Sequence, residues 1–253
     1  MIGILLEVLK LGTLGLFFFL AFSSFAKGRT SLFGLPFSSK KRTLVLGLFM
    51  LIASATEIGN EVIEGDTAKV DKEILLSIKA HTPAEFVPFF EGMTFLGSFK
   101  FIAASSIAVS LYFVIKKMRF EAILMSSSTA LGGICIYVLK AIVKRDRPHL
   151  WETNWYWGTS FPSGHTLASA TFASALALCL KGVEPQQKIA VGVAAMIFAG
   201  LVGLSRLVLG VHWPTDVVTA YCIGMTLPHL VEYSLLLFGQ RRAADNARKG
   251  ILN

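Results

Sequence analysis

Charge is scarce in this chain: Asp, Glu, Lys and Arg make up only 16% of the 253 residues, while 54% are apolar. A chain so poor in charge departs from the soluble-domain average, which makes a soluble core the minority reading and points to a protein that lives in lipid. The strict alternation of a barrel strand is also missing. Instead the apolar stretches run near the ~20 residues that a helix needs to cross hydrocarbon. There is no basic face with interleaved aromatics, so the formal charge of +8 does not indicate nucleic acid; the basic residues cluster beside apolar runs. Cysteine is confined to Cys135, Cys179 and Cys222, all inside apolar runs, where a thiol behaves as a small buried hydrophobe. They predict neither a disulfide nor a metal site. Without an internal repeat or a low-complexity tract, a single domain is the economical reading.

What is present is a series of seven hydrophobic segments, at residues 2–26, 43–58, 101–115, 121–141, 165–180, 189–209 and 214–238. They predict an all-α, polytopic transmembrane helical bundle. The first is interrupted by Glu7 and Lys10, and Ser24-Phe25-Ala26 has the look of a signal-peptidase site. Lys27, Arg29, Lys40, Lys41 and Arg42 follow at once and resist translocation, which favours an uncleaved anchor with its N-terminus outside. The expected layout is an anchor and basic loop over 1–42, a catalytic domain over 43–238 and a basic tail over 239–253. Between the second and third segments, residues 59–100 carry Ile74, Leu75, Leu76 and Ile78, the pattern of a short amphipathic helix along the membrane surface. A solvated loop is the other reading.

Orientation follows from Lys and Arg in the short loops. Residues 27–42, the turn with Lys116, Lys117 and Arg119, the turn from Lys181 to Lys188, and the tail with Arg241, Arg242, Arg248 and Lys249 share one side by helix parity. That side is expected to be cytoplasmic. The opposite side also carries Lys140, Lys144, Arg145, Arg147 and Arg206, a surplus that the topology rule does not explain.

Lys140, Arg147 and Arg206 belong to three polar clusters at the ends of the last four segments. The first is Lys140, six residues, then Arg147-Pro148; the second is Phe161-Pro162-Ser163-Gly164-His165; the third is Ser205-Arg206, five residues, His212, three residues, Asp216. Parity places all three on one face of the membrane. An ionised residue costs about 2.5–3.5 kcal/mol at a helix centre and less toward the interface. Several uncompensated charges would rival a net fold stability of roughly 5–15 kcal/mol. Such charges must pair, reach water or bind something charged. Three cations against one acid suit an anion, and phosphate fits best.

Arg147 and Arg206 offer planar forks for phosphate oxygens, and Lys140 adds a point charge. Ser163 and Gly164 lie where a helix begins, where unpaired amides and the positive dipole end attract anions. Two histidines supply the nucleophile and the proton donor that phosphate-ester cleavage needs. Asp216, four residues after His212, is placed to fix that ring's tautomer and stabilise its positive form. This makes His212 the nucleophile and His165 the acid, and no metal or other cofactor is demanded. Each piece alone also has a plainer reading: Asp216 as a dipole partner after Pro214, Ser163 as an N-cap, Lys140 to Arg147 as a boundary charge cluster. Those readings leave the coincidence of three spacings on one face unexplained.

Taken together, the three clusters resemble the signature of the type-2 phosphatidic acid phosphatase superfamily. Lysine, six residues, arginine-proline is met at Lys140, Arg147 and Pro148; proline-serine-glycine-histidine at Pro162, Ser163, Gly164 and His165; the last element at Ser205, Arg206, His212 and Asp216. The resemblance spans residues 140–216 strictly and about 43–238 by helix layout. It implies a six-helix core, to which residues 2–26 add one further N-terminal helix. It also implies metal-independent hydrolysis of a phosphomonoester or diphosphate, with His212 as nucleophile and His165 as acid. The implied location is a bacterial inner membrane with the site on its periplasmic or extracytoplasmic side. The implied partners are the bilayer and a lipid phosphate, with the oligomeric state left open.

Trp151, Trp155, Tyr156 and Trp157 beside the site suit a lipid head group at the interface, and are equally plain interfacial anchors. Undecaprenyl diphosphate, phosphatidylglycerophosphate, phosphatidic acid and the phosphates of lipid A all remain as substrates. Two rival readings stand beside hydrolysis. One is phosphotransfer to a second lipid through the same intermediate. The other is a transporter or lipid-binding protein, which inverted repeats and broken helices would favour; the sequence has neither.

Overall fold

The structure, a computed structural model, describes residues 31–32, 35–36, 39–151, 158–180 and 184–251, with side chains over 44–151, 158–180 and 184–240. The expected first span at 2–26 lies outside the described residues, as do Trp155, Tyr156 and Trp157. The chain divides into two compact units, Met1–Asp66 and Thr67–Asn253. In the first, β1 (Ser31–Leu32) pairs antiparallel with β2 (Leu35–Pro36), a two-residue ladder beside an otherwise helical chain, as the all-α expectation had it. Helix α1 (Ser39–Glu64) follows. It runs past the expected end at residue 58 because Glu57, Glu61 and Glu64, good helix formers, continue the turn beyond the apolar run. Gly65, at φ 87°, then ends it, its N–H bonded to the Glu61 carbonyl at 3.0 Å.

The second unit holds α2 (Ala68–His81), a 3₁₀ turn (Ala84–Phe86), α3 (Val87–Leu96), α4 (Phe99–Ile115), α5 (Arg119–Val143), α6 (Gly164–Cys179), α7 (Pro185–Val208) and α8 (Pro214–Ile251). Residues 59–100 are therefore mostly helix, not loop. The expected short helix is there as α2, with Leu75 wholly buried and Ile74 and Leu76 exposed. Helix α3 was not foreseen. It meets α4 at Gly97-Ser98 with a bend of 49° between the two pieces. Ser98 caps α4 by accepting the Phe101 N–H at 3.3 Å. Proline opens both α7 and α8, where its missing N–H costs nothing.

Helix α6 is the hub, packed against α5, α7 and α8. Its 16 residues reach only about 24 Å, and its buried face is built from Ser169, Ala170, Thr171, Ala173, Ser174 and Ala175. Small side chains let helix backbones approach closely, which is how helices associate where lipid supplies no hydrophobic drive. Gly224 of α8 shows the consequence. A Cβ there would lie 2.7 Å from both the Ala170 Cβ and the Leu167 carbonyl oxygen. Hydroxyl pairs tie α4 to α5, Ser126 to Ser110 at 3.0 Å and Thr129 to Ser106 at 3.1 Å.

The outward faces carry large apolar side chains, Ile107, Ile115, Ile134, Tyr137 and Ile189 among them, each more than half exposed. Such a belt belongs against lipid. Among the described residues, four helices are long and apolar enough to cross a membrane, or five if the bent α3–α4 pair is one span. Each of the six expected spans from residue 43 onward is a helix. Helix α8 also continues unbroken through residues 239–251, which the sequence reading set apart as a tail.

Candidate active site

Alternating helix directions bring the end of α5, the start of α6, the end of α7 and the start of α8 to one end of the bundle. The Ser163 N–H donates to the Asp216 carbonyl at 3.2 Å, which joins the first turns of α6 and α8 directly. Helix α5 stops at Lys144, a residue with left-handed backbone whose N–H bonds the Lys140 carbonyl at 3.3 Å. The described residues that follow α5 and those that precede α6 are laced together: the Ser160 N–H donates to the Arg145 carbonyl at 2.8 Å, and its hydroxyl to the Asp146 carbonyl at 3.0 Å. Gly210 follows α7 at φ 68°, under the Trp151 ring, where any side chain would collide with the indole.

His212 lies between α7 and α8 and is 2% exposed. Nδ1 faces Asp216 Oδ2 at 3.3 Å, and Nε2 faces the Arg147 Nη1 at 3.2 Å. Arginine has only donors to offer, so Nε2 is the acceptor and the ring proton sits on Nδ1, toward Asp216. Burial, and after it the charges of Arg206, Arg147 and Lys140, hold the imidazole well below its ordinary pKa. The ring is neutral at neutral pH, with a lone pair on Nε2. Asp216, wholly buried, is placed by the Trp213 N–H at 2.9 Å on Oδ2 and by the Arg145 Nη1 at 2.9 Å on Oδ1.

The cations foreseen from the sequence converge around this ring. Arg147 also donates to the Gly158 carbonyl at 2.9 Å and the Val211 carbonyl at 2.7 Å. Lys140 reaches the carbonyls of Thr159 and, at 3.5 Å, Ser160. Arg206, 1% exposed, donates to the Thr94 hydroxyl. His165, half-buried in the first turn of α6, feels the charges of Arg206, His212, Arg147 and Lys140. Gly164 begins that helix, with its Cβ direction toward Ile136. Ser163 departs from expectation in two ways. Its hydroxyl pairs with Thr166 at 2.9 Å instead of capping the helix, and its amide is taken by Asp216.

Five contributors escaped the sequence reading: Thr67, Asp71, Thr94, Arg145 and Thr215. Arg145 was counted only among loop charges, yet it bridges Asp71 at 2.6 Å and Asp216 at 2.9 Å. The signal was there for Asp71, an acid four residues before the buried Leu75 on the same helix face, since an ionised side chain on an apolar stripe needs a partner. The extra pair adds one charge of each sign, so the positive surplus of the site stands.

The PAP2 superfamily profile matches residues 121–236. Phosphatidylglycerophosphatase B of Bacillus subtilis (strain 168) is 30% identical over 190 residues, covering 74% of this chain and 91% of that protein. The chain belongs to the PAP2 superfamily. Decaprenylphosphoryl-5-phosphoribose phosphatase of Mycolicibacterium smegmatis is 41% identical over 86 residues, 32% of this chain and 42% of the relative. The crystal structure of a transmembrane PAP2 type phosphatidylglycerolphosphate phosphatase from Bacillus subtilis superposes with a TM-score of 0.68 at 25% identity, covering 74% of this chain and 94% of that one. Aquifex aeolicus LpxE shares the fold, with a TM-score of 0.50 at 22% identity over 64% of this chain and 93% of that one. This PAP2 protein is a multi-pass membrane phosphatase, and the site just described lies largely within the matched residues.

Proposed function

We propose that this phosphatase hydrolyses the phosphoester or diphosphate of a membrane lipid through a covalent intermediate on Nε2 of His212. The observation that carries the reading is the pairing of Nε2 with Arg147 and of Nδ1 with Asp216. It supports a neutral ring whose lone pair is aimed into a cluster of cations, the state a nucleophile needs. On entry the phosphoryl group takes over the guanidinium of Arg147. Nε2 then attacks phosphorus, an N–P bond forms, the P–O bond to the lipid breaks, and His165 gives its proton to the leaving oxygen. Asp216 stabilises the positive ring that results. Water next attacks phosphorus and passes its proton to His165, the N–P bond breaks, and phosphate leaves. Lys140, Arg147 and Arg206 neutralise the transferring oxygens. Gly164 and the amides after it supply the helix dipole end, while Ser163 shapes the turn through Thr166 and Asp216.

Phosphatidylglycerol phosphate is the first substrate to test, because the relative and the solved structure that cover most of this chain are named for that reaction. The side of the membrane is read from charge. Lys116, Lys117 and Arg119 at the α4–α5 turn mark the opposite end as cytoplasmic, so the site faces the extracytoplasmic side of a bacterial inner membrane.

The test is phosphate release by the purified protein in detergent, with EDTA present, from phosphatidylglycerol phosphate, phosphatidic acid and undecaprenyl diphosphate, each also offered to His212→Ala. Hydrolysis of one class, an acid-labile phosphoprotein, and neither in His212→Ala are expected. Wild-type turnover in the variant, or turnover that needs an added lipid acceptor, would overturn the scheme.

A further inference from the structure

The buried ion pair between Arg145 and Asp71 takes no part in the steps above, yet it is the most tightly built polar feature of the bundle end. Asp71 is wholly buried. Its Oδ1 accepts the Thr215 N–H at 3.0 Å, and its Oδ2 accepts the Thr215 hydroxyl and the Arg145 Nη2, each at 2.6 Å. Arg145 donates in turn to the Thr67 hydroxyl at 3.1 Å, the Thr215 hydroxyl at 2.8 Å and Asp216 Oδ1 at 2.9 Å, with its guanidinium 5.4 Å from the centre of the Trp213 ring. With both terminal nitrogens gripped by two acceptors each, the fork is held in one orientation, away from a phosphate. It is aimed at Asp216.

That aim matters for the imidazole. An ionised Asp216 has only acceptors to present, which forces the proton of His212 onto Nδ1 and leaves the lone pair on Nε2. A protonated Asp216, or one rotated so that Oδ2 left the ring, would admit the other tautomer, with N–H at Nε2 and no nucleophile. Arg145 opposes both by charge and by occupying Oδ1. Asp71 arrives from α2, outside the stretch 121–236 that carries the family match, and it anchors the residue immediately before Asp216.

We propose that Arg145 and Asp71 are positioning residues for the reaction: Arg145 holds Oδ1 of Asp216 so that Oδ2 alone serves His212, and Asp71 locks Arg145 onto the first turn of α8. This rests on the reading of His212 as nucleophile. The charged and titratable groups facing the Asp216–His212 pair are Asp71 from α2, Lys140 from α5, Arg145 and Arg147 from the residues just after α5, His165 from α6 and Arg206 from α7.

The test uses the full-length protein in detergent with two readouts, one of them independent of turnover. The first is the ¹⁵N chemical shift of the His212 ring, assigned by its absence in His212→Ala, which reports the tautomer directly. The second is the pH profile of kcat/KM. In Arg145→Gln the Nε2–H tautomer is expected to become populated. Its kcat should fall about 100-fold with KM within about threefold, a step short of the ~10⁴ seen when an orienting carboxylate itself is replaced. The acid limb should move to higher pH, because the Asp216–His212 pair takes up a proton more readily without the guanidinium. Arg145→Lys should recover part of both effects. Asp71→Asn should lose about tenfold in kcat without raising the limb, since it leaves the cation in place.

A wild-type tautomer and wild-type profile in Arg145→Gln would overturn the proposal. Should that variant not be recovered folded, unchanged tautomer and rate in both Arg145→Lys and Asp71→Asn would do so. A shifted tautomer in Arg145→Gln together with no hydrolysis by the wild-type protein would sink the phosphohistidine reading and leave the positioning role standing.

Discussion

Replacing Asp216 by asparagine keeps the shape of the side chain and asks its two oxygens to become one oxygen and one amine. Arg145 decides which goes where. Its Nη1 stands 2.9 Å from Oδ1, and a donor cannot face a donor, so the amide oxygen must take that position. The NH₂ then replaces Oδ2, where it meets both the Trp213 N–H and His212 Nδ1. Donation from the amide to Nδ1 drives the ring proton to Nε2 and removes the nucleophile's lone pair. The same exchange at the orienting aspartate of a serine-protease triad costs about 10⁴ in kcat, about 5.5 kcal/mol of barrier at 1.36 kcal/mol per decade. The loss here should be of that order. The Trp213 N–H, left facing an amine, should cost a further ~1–3 kcal/mol of stability. Phosphate release under single-turnover conditions measures the first, and thermal unfolding in detergent the second. A rate for Asp216→Asn within about tenfold of wild type would refute the tautomer argument, because the geometry admits no intermediate outcome.

Further consequences can be measured on the same preparation. Because the folded-state pKa of His212 is pushed down, the unfolded chain binds its proton first as pH falls below the ordinary value of about 6.5. The ring's contribution to stability is thus complete above that pH and drains away on acidification; the melting temperature should drop between pH 7 and 5.5, with a shallower slope in His212→Gln. Arg206→Lys should lower kcat/KM by about 30- to 100-fold, since a point charge cannot both hold Thr94 and fork onto phosphate, whereas Thr94→Val should cost about fivefold, one neutral hydrogen bond; equal rates for Arg206→Lys and wild type would argue against the clamp. Gly224→Ala should destabilise by about 1–3 kcal/mol through overpacking against Ala170 and Leu167, and an unchanged melting temperature would mean that α6 and α8 can part without cost.

The sequence made most of the core legible because lipid imposes a crude rule: a run of apolar residues near spanning length is a helix, and the ends of such runs stand out by their charge. Lys140, Arg147, His165, Arg206, His212 and Asp216 could be placed on one bundle end by parity alone. What stayed hidden obeys a weaker rule. Helix α3 is short and mostly apolar, broken only by Glu91, Gly92 and Thr94, so it offered neither the length of a span nor the periodicity of a surface helix. Its one contribution, Thr94 to Arg206, is a contact between residues 112 positions apart. Arg145 was masked by its neighbours, since Lys144, Arg145 and Arg147 look alike in a charge count and differ only in what faces them. For Ser163 the plainer reading as an N-cap gives way because the Thr166 hydroxyl is the partner of its side chain, while its amide, read as an anion donor, meets the Asp216 carbonyl, a contact no local pattern announces.

The cationic side chains of the site already hold groups of the protein. Lys140 holds the carbonyls of Thr159 and Ser160, Arg147 those of Gly158 and Val211 together with the His212 ring, and Arg206 the Thr94 hydroxyl. On the proposed scheme an arriving phosphate must therefore displace several of these protein acceptors, and the bonds it breaks are subtracted from its ground-state affinity. The exchange is most favourable where charge on the oxygens is greatest, during transfer, and least so for the small product, which gains nothing from the lipid tails that first delivered it. On that scheme inhibition by free phosphate should accordingly be weak, because the product must compete with the same protein acceptors that the substrate displaced.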